Sequence, residues 1–324
     1  MSNTYRAFSF PRFLLSTMLS VVAVLFIWAP TTSAQTRIVD SAMGPVAVPV
    51  APQRVVVLTN EALEAMIQLG IQPVGSVVAG TDVQWLPHLE PYMDGIVPIG
   101  TESQVNLELV AALRPDVIIG VRARHESIYP HLSRIAPTVF ADTFMGTWRE
   151  NFLTYADAVN QRDKAEEILA AWDAAAADLS KRLEAAGVLE WEVSVVRFNP
   201  GTGPLGGAAR YYGNMSFATD IIKRLGFRRP PHHDLDDVFA VGINPEQIPE
   251  VDGDAIFYFV METGTGEATS AAQAWLSQPL WQALRAHKAG RVWEVPDETW
   301  NKTYGIVSAF YVLEDIERIV LGEN

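Results

Sequence analysis

Four arginines stand where a chain of alternating strands and helices would place ligand contacts. Arg122 and Arg124 directly follow the apolar run at residues 117–120, Arg197 closes the run at 191–198, and Arg210 lies beside Tyr211 and Tyr212 in a glycine-rich stretch read as a loop. In open α/β sheets ligands gather outside the carboxyl ends of the strands. A guanidinium fork matches the paired oxygens of anionic groups there. Aromatic residues are interleaved with these arginines. Trp85, Phe144, Trp148, Tyr211, Tyr212, Trp300 and Tyr304 all fall in or beside apparent loops, where rings would wall a pocket with apolar area and cation–π contacts. The competing reading pairs the arginines with surplus acids and sends the rings into the core. It is the better reading for Trp172, Trp275, Trp281 and Trp293.

A second set of charges comes from a repeat. Asn106-Leu-Glu108 precedes Asp116-Val-Ile118, and Asn244-Pro-Glu246 precedes Asp254-Ala-Ile256, with Asn, Glu, Asp and Ile at identical offsets 138 residues apart. Asn is a helix N-cap and Pro245 suits a first helical position, so each copy reads as a helix start followed by a strand. Glu108 and Glu246 then occupy first turns, where the helix dipole favours a carboxylate. Dipole stabilisation explains either Glu alone. It explains less well why each half of the chain carries one in the same place.

Other chemistries find less support. His125 and the pair His232–His233 read as surface histidines, because no converging set of metal ligands accompanies them. Gly201-Thr-Gly203-Pro-Leu-Gly206 matches the dinucleotide fingerprint. That fingerprint must open a helix, whereas Pro204 and the following glycines read as a loop. No nucleophile elbow is present.

The elements that position these residues follow from periodicity. Residues 37–50 read as a hairpin. Runs at 54–58, 74–78, 117–120, 138–140, 191–198, 255–260 and 291–295 read as strands, and alternation with helices implies mostly parallel sheets. Residues 147–186 contain no Gly or Pro and keep helical spacing of their apolar positions. They read as one long helix, roughly 57 Å at about 1.5 Å per residue, and a break, if any, is expected near Asn160-Gln161-Arg162. The fold expected is α/β, two similar lobes joined by one long bridging helix. Its boundaries are 1–34 for a leader, 35–147 for the first lobe, 148–187 for the bridge and 188–324 for the second lobe. A stiff bridge restricts hinge motion, and a cleft between two lobes is a favoured ligand site.

The leader carries only Arg6 and Arg12 as charges, an apolar run at 13–29, and small residues at Thr32-Ser33-Ala34. It reads as a cleaved secretory signal, with an uncleaved anchor as the alternative. The 324-residue chain has 24 Lys and Arg against 38 Asp and Glu, a net charge of −14. Without the leader's two arginines the charge is −16, which argues against nucleic acid or anionic membrane as a partner. Cysteine is absent, so neither a disulfide framework nor a cysteine-linked lipid is expected. The compartment expected is a bacterial periplasm, without a lipid anchor.

On these residues the chain resembles the periplasmic substrate-binding proteins of ABC importers for ferric siderophores, haem and cobalamin. The similarity rests on Pro52-Gln-Arg-Val-Val-Val-Leu58, the stretch from Asn106 to Gly120, Leu132-Ser-Arg-Ile-Ala-Pro-Thr-Val139, Val196-Arg-Phe-Asn199, Asn244-Pro-Glu246, and the tail from Val292 through Trp300-Asn301 to Glu317. The resemblance implies two lobes and a bridging helix, and it points to the ferric-siderophore branch. It implies an iron chelate as ligand, contacted by Arg122, Arg124, Arg197, Arg210, Tyr211, Trp85, Trp148 and Trp300. It also implies salt bridges from Glu108 and Glu246 to arginine pockets on the two permease subunits. No catalysis, cofactor or bound metal of its own is expected. Haem or cobalamin as ligand, or an exported enzyme with an interlobe site, remain the alternatives. Catecholate, hydroxamate and carboxylate chelates are not distinguished at this stage.

Overall fold

A computed structural model describes residues 35–79, 85–200, 209–262 and 264–322. The leader and the Gly201–Gly206 fingerprint lie outside the described residues. The chain opens with the expected hairpin, β1 (Thr36–Val39) against β2 (Val46–Pro49). Six strands then build the first sheet: β3 (Val55–Val57), β4 (Gly75–Val78), β5 (Val97–Thr101), β6 (Gln104–Val105), β7 (Val117–Val121) and β8 (Thr138–Ala141), ordered β6-β5-β4-β3-β7-β8. All pairings are parallel except β5 with β6. Helices α1 (Asn60–Gln68), α2 (Leu107–Ala112), α3 (Arg122–His125) and α4 (Tyr129–Ile135) belong to this half.

The helical connection is two helices rather than one, α5 (Trp148–Ala158) and α6 (Arg162–Ala185). Asn160 takes a left-handed conformation, φ 58°. The Gln161 N–H donates to the Ala156 carbonyl at 2.9 Å and the Asn160 N–H to that of Asp157 at 3.1 Å. That hydrogen-bond pair is a Schellman stop, with Asn as the residue that tolerates positive φ. Helix α5 packs on α1 and β8, and the 24-residue α6, about 36 Å long at 1.5 Å per residue, is the connector between lobes.

The second sheet runs β11-β10-β9-β12-β13, from β9 (Val193–Phe198), β10 (Ala209–Tyr212), β11 (Ala240–Ile243), β12 (Ala255–Val260) and β13 (Val292–Glu294). Strands β9, β12 and β13 are parallel, while β10 is antiparallel to both its neighbours. The remaining helices are α7 (Phe217–Arg224), α8 (Glu267–Leu276), α9 (Pro279–Gln282), α10 (Arg285–Lys288) and α11 (Ile306–Ile316). The second repeat copy is a 3₁₀ turn, Pro245–Val251, with Pro249 inside it; proline lacks the N–H that an α-helix would need there.

Strand parity sorts the core into layers. Val55, Val57, Val193, Val195, Phe257 and Phe259 face one continuous apolar cluster shared with α1, α5, α6, α7 and α11. The alternate residues of the two sheets face separate outer clusters, Val56 and Leu58 in one, Val196 and Phe198 in the other.

The repeated aspartates have matching structural roles. The Asp116 carboxylate accepts the backbone N–H groups of Gln53 and Arg54 at 2.7 and 3.0 Å, and the Asp116 N–H donates to the Arg54 carbonyl at 3.0 Å. The Asp254 carboxylate accepts from Glu192 N–H at 3.0 Å, and its own N–H donates to the Glu192 carbonyl at 2.8 Å. Each aspartate thus ties the start of its own strand to the start of the neighbouring parallel strand. Asp116→Ala is expected to lower stability by about 1.5–3 kcal/mol, the range for a lost hydrogen bond to a charged group. Urea unfolding checks this; an unchanged midpoint for Asp116→Ala would contradict the role.

Candidate functional site

Arg197 and Arg210 are direct cross-strand partners in the antiparallel β9–β10 ladder. Parity puts Arg197 on the same face as Val193 and Val195, and Arg210 on the same face as Tyr212, which lines the continuous inner cluster. Both therefore lie on the face that packs against the apolar cluster shared by the two lobes. Arg197 donates from Nε to Asn199 Oδ1 at 2.6 Å and from Nη1 to the Tyr212 hydroxyl at 3.3 Å, and its Nη2 meets Met261 Sδ. Arg210 is only 4% exposed, yet among the described residues its hydrogen bonding is one long contact, Nη2 to Asn199 Oδ1 at 3.4 Å. Its Nε and Asn199 Nδ2 are buried without a partner among the described residues. Among the described residues neither arginine forms an ion pair with a carboxylate. Burial, and then the neighbouring Arg197 charge, lowers the Arg210 pKa from the ordinary guanidinium value.

The polar network continues away from the pair. The Tyr212 hydroxyl donates to Asn301 Oδ1 at 2.9 Å, Asn301 Nδ2 donates to Asp297 Oδ1 at 2.9 Å, and Lys302 pairs with Asp297 at 3.0 Å. Tyr304, half-buried, stacks on Phe144 at 5.9 Å. Burial raises the Tyr304 phenol pKa, while Arg197 and Arg124 both act to lower it. Arg124 comes from the first lobe. Its guanidinium lies 4.4 Å over the Phe144 ring and its Nε pairs with Glu102 at 3.2 Å. Glu102 is held in turn by the Asn60 N–H at 2.8 Å and Nδ2 at 3.1 Å. Arg124, Phe144, Tyr304, Arg197, Arg210, Tyr212 and Asn199 thus form one cationic, aromatic-walled constellation that draws on both lobes.

The remaining sequence candidates fall elsewhere. Arg122 is taken by Asp142, Nε to Oδ1 at 2.6 Å. Trp85 is half-buried against the inner core. Trp148 is 1% exposed, packs on Trp172 at 5.2 Å and donates to Asp220 at 2.8 Å. Trp300 is likewise 1% exposed, against Phe257, and donates to Asp315 at 2.9 Å. Both are core residues whose N–H is satisfied, so neither is free to wall a cleft. Tyr211 points to the opposite face of β10 from Arg210 and stacks on His233 at 4.0 Å. The expected loop around Arg210 is a strand, which is why Tyr212 rather than Tyr211 joins the arginines.

Two histidines read as surface residues are core residues. His125 and His233 are 1% and 0% exposed, and burial pushes their pKa values down to about 4 and about 3. His125 accepts from Val121 N–H at Nδ1, leaving Nε2–H for the Glu102 carbonyl at 3.0 Å. Glu108 and Glu246 are exposed in their first turns, and among the described residues neither makes an ion pair. No group of side chains able to hold a metal ion occurs among the described residues.

Sequence reasoning missed the acids of α1. Glu61 is 4% exposed, with Asn151 Nδ2 at 2.9 Å and the Tyr155 hydroxyl at 2.9 Å. Glu64 is fully buried against His88 and Ser308. Their partners lie far along the chain, so no local pattern marks them.

A family model described as periplasmic binding protein matches residues 55–299. The chain is 40% identical to a probable siderophore-binding lipoprotein of Bacillus subtilis, YfiY, over 90% of this chain and 89% of the relative. It is 29% identical to the Fe(3+)-citrate-binding protein YfmC of the same organism, over 90% and 88%. Among solved structures, Staphylococcus aureus SirA complexed with staphyloferrin B superposes with a TM-score of 0.80 at 26% identity, over 88% of this chain and 99% of that one.

Burial raises the Glu61 pKa from 4.5 to about 8. The unfolded chain releases this proton near the ordinary value while the folded protein keeps it. The stabilisation is therefore complete below about pH 4.5 and is lost as pH rises toward about 8. Glu61→Gln is expected to flatten that decline by on the order of 1–3 kcal/mol between pH 5 and 8. Urea midpoints of both proteins at the two pH values check it, and parallel pH profiles would refute it.

Proposed function

The chain belongs to the periplasmic binding protein family, and on that premise we propose that it captures a ferric siderophore in the interlobe cleft and delivers it to an inner-membrane ABC importer. The observation that carries the reading is the Arg197–Arg210 pair, on the inner face and without a carboxylate partner among the described residues. Two like charges directly opposite across a ladder repel, and an unpaired buried donor is costly. An anionic ligand with paired oxygens relieves both, since bidentate contacts to guanidinium are short and strong. Carboxylate donors of a ferric chelate suit this geometry, with Arg124 closing from the first lobe and Phe144, Tyr212 and Tyr304 as walls. The names of the relatives, a citrate binder and a staphyloferrin complex among them, agree with that chemistry.

The iron chelate is cargo, and the role assigned is capture and delivery without a chemical step. Residues 1–34 serve as the export leader, and the mature protein works in the periplasm. Glu108 and Glu246, one exposed charge per lobe, meet the permease subunits of the importer, where charge complementarity governs encounter and register.

Ferric citrate is expected to quench the tryptophan fluorescence of the purified protein. Arg197→Ala or Arg210→Met should weaken its binding about 10–100-fold, equivalent to losing one or two charge-assisted hydrogen bonds. The unfolding temperature of Arg210→Met should hold or rise, because a buried like charge is removed. Tight binding of neutral cobalamin with no response to a panel of ferric siderophores would overturn the reading.

Docking is tested separately. Glu108→Arg and Glu246→Arg should leave ferric citrate affinity unchanged and reduce uptake sharply, because a like-charge juxtaposition at an interface costs several kcal/mol. Normal uptake in the double variant would leave the two glutamates as helix-start residues only.

A further inference from the structure

The N-cap position of helix α11 is Gly305, which has no side chain to satisfy the first turn. The cap comes from the other lobe. Glu64 of α1 accepts the Ser308 backbone N–H at Oε2, 2.9 Å, and the Ser308 hydroxyl at Oε1, 2.6 Å. Ser308 is the third helical residue, the donor that an N-cap side chain ordinarily satisfies. His88 Nε2 lies 2.9 Å from the same Oε1, which fixes the carboxylate from its free side. Glu64 is fully buried, and a Cβ on residue 305 would sit 2.4 Å from Glu64 Oε2. Glycine at the cap is thus the space that the incoming carboxylate fills.

The residue just before this cap is Tyr304, held at φ 57°. A bulky residue in the left-handed region persists only where its surroundings over-determine it. Here the restraints are the capped turn on one side and the ring stack on Phe144 on the other. Tyr304 is also the ring that feels Arg197 and Arg124 together.

We propose that Glu64 is a positioning residue for the ligand site: as an α11 cap supplied from the opposite lobe, it sets the interlobe angle and fixes Tyr304 between the arginines of the two lobes. The part concerning ligand affinity rests on the functional reading above; the part concerning lobe geometry does not. A cap that also ties two lobes preorganises the cleft, so binding loses less freedom.

The experiment separates capping from tying. Glu64→Gly removes both. Glu64→Gly combined with Gly305→Ser returns a cap from α11 itself, with room for the new Cβ because the Glu64 Cβ, otherwise 2.9 Å away, is gone. Residue 305 is extended at φ −106°, open to serine. Unfolding temperature, solution scattering of the unliganded proteins and ferric citrate affinity are measured for both and for Glu64→Gln. The double variant is expected to recover most of the unfolding temperature lost in Glu64→Gly, yet to bind ferric citrate about tenfold more weakly and to show a larger unliganded radius of gyration. Glu64→Gln, which keeps an oxygen for the Ser308 N–H, should stay within about threefold of the parent affinity. A double variant with parental affinity and parental scattering would overturn the proposal and leave Glu64 as a helix cap only. If the parent itself responds to no ferric siderophore of the panel, the functional reading fails, and the unliganded scattering still decides whether Glu64 ties the lobes.

Discussion

Two guanidinium groups face each other across one ladder of the second sheet, and much of the molecule serves to hold them there. Left alone, Arg197 and Arg210 would be driven apart by charge and drawn toward water. Neither can leave, because both grow from strands whose other residues are committed. Val193, Val195 and Tyr212 lie in the inner core on the same faces, and Val196, Phe198, Ala209 and Tyr211 lock the opposite faces into the outer core. A slip of one residue in β10 would exchange Arg210 with Tyr211 and bury a charge among apolar side chains. The apolar register thus fixes a polar arrangement that is unfavourable by itself. Destabilised arrangements of this kind are typical of functional sites, where stability and activity trade against each other.

The two lobes contribute unequally. The second supplies a cationic pair without a counter-ion among the described residues, held by the neutral oxygen of Asn199. The first supplies Arg124, whose charge is already balanced by Glu102 and whose plane is set by Phe144. An anion entering the cleft would therefore meet two unbalanced charges on one wall and a balanced one on the other. On the proposed reading most of the electrostatic gain would lie on the second wall, and Arg124 would add orientation more than net attraction.

What the sequence made legible follows the range of the interactions. The repeat was visible because each copy is local: an Asn–Glu start, a short helical turn, and an Asp that ties neighbouring strand starts. The buried strands announced themselves as β-branched runs, and Arg197 could be placed because it ends one of them. Strand β10 was hidden, since Arg210-Tyr211-Tyr212 shows no apolar alternation when one face is a polar site. Trp148 and Trp300 could not be told from pocket rings, because a tryptophan in the core and one in a cleft differ only in what reaches their N–H. The histidines were misplaced for a similar reason. Their hydrogen-bond partners, Glu102 and Glu250 carbonyls, are 23 and 17 residues away. Glu64 was beyond reach altogether, with Ser308 at a separation of 244 residues.

The overall charge sharpens the case for a preorganised cleft. A chain of net charge −14 repels an anionic chelate at long range, although at physiological salt that field decays over about 8 Å. Attraction must then come from charges that are close, desolvated and already oriented. Buried Arg210 and half-buried Arg197 meet the first two conditions, since their interactions are screened far less than those on the surface. The third depends on the seam, where Glu64, Gly305 and Tyr304 join α1 to α11 within a few residues of the pair's aromatic wall. Were that seam loose, the two walls would close on the ligand only at the expense of interlobe freedom, and the short-range attraction would be spent on ordering the protein.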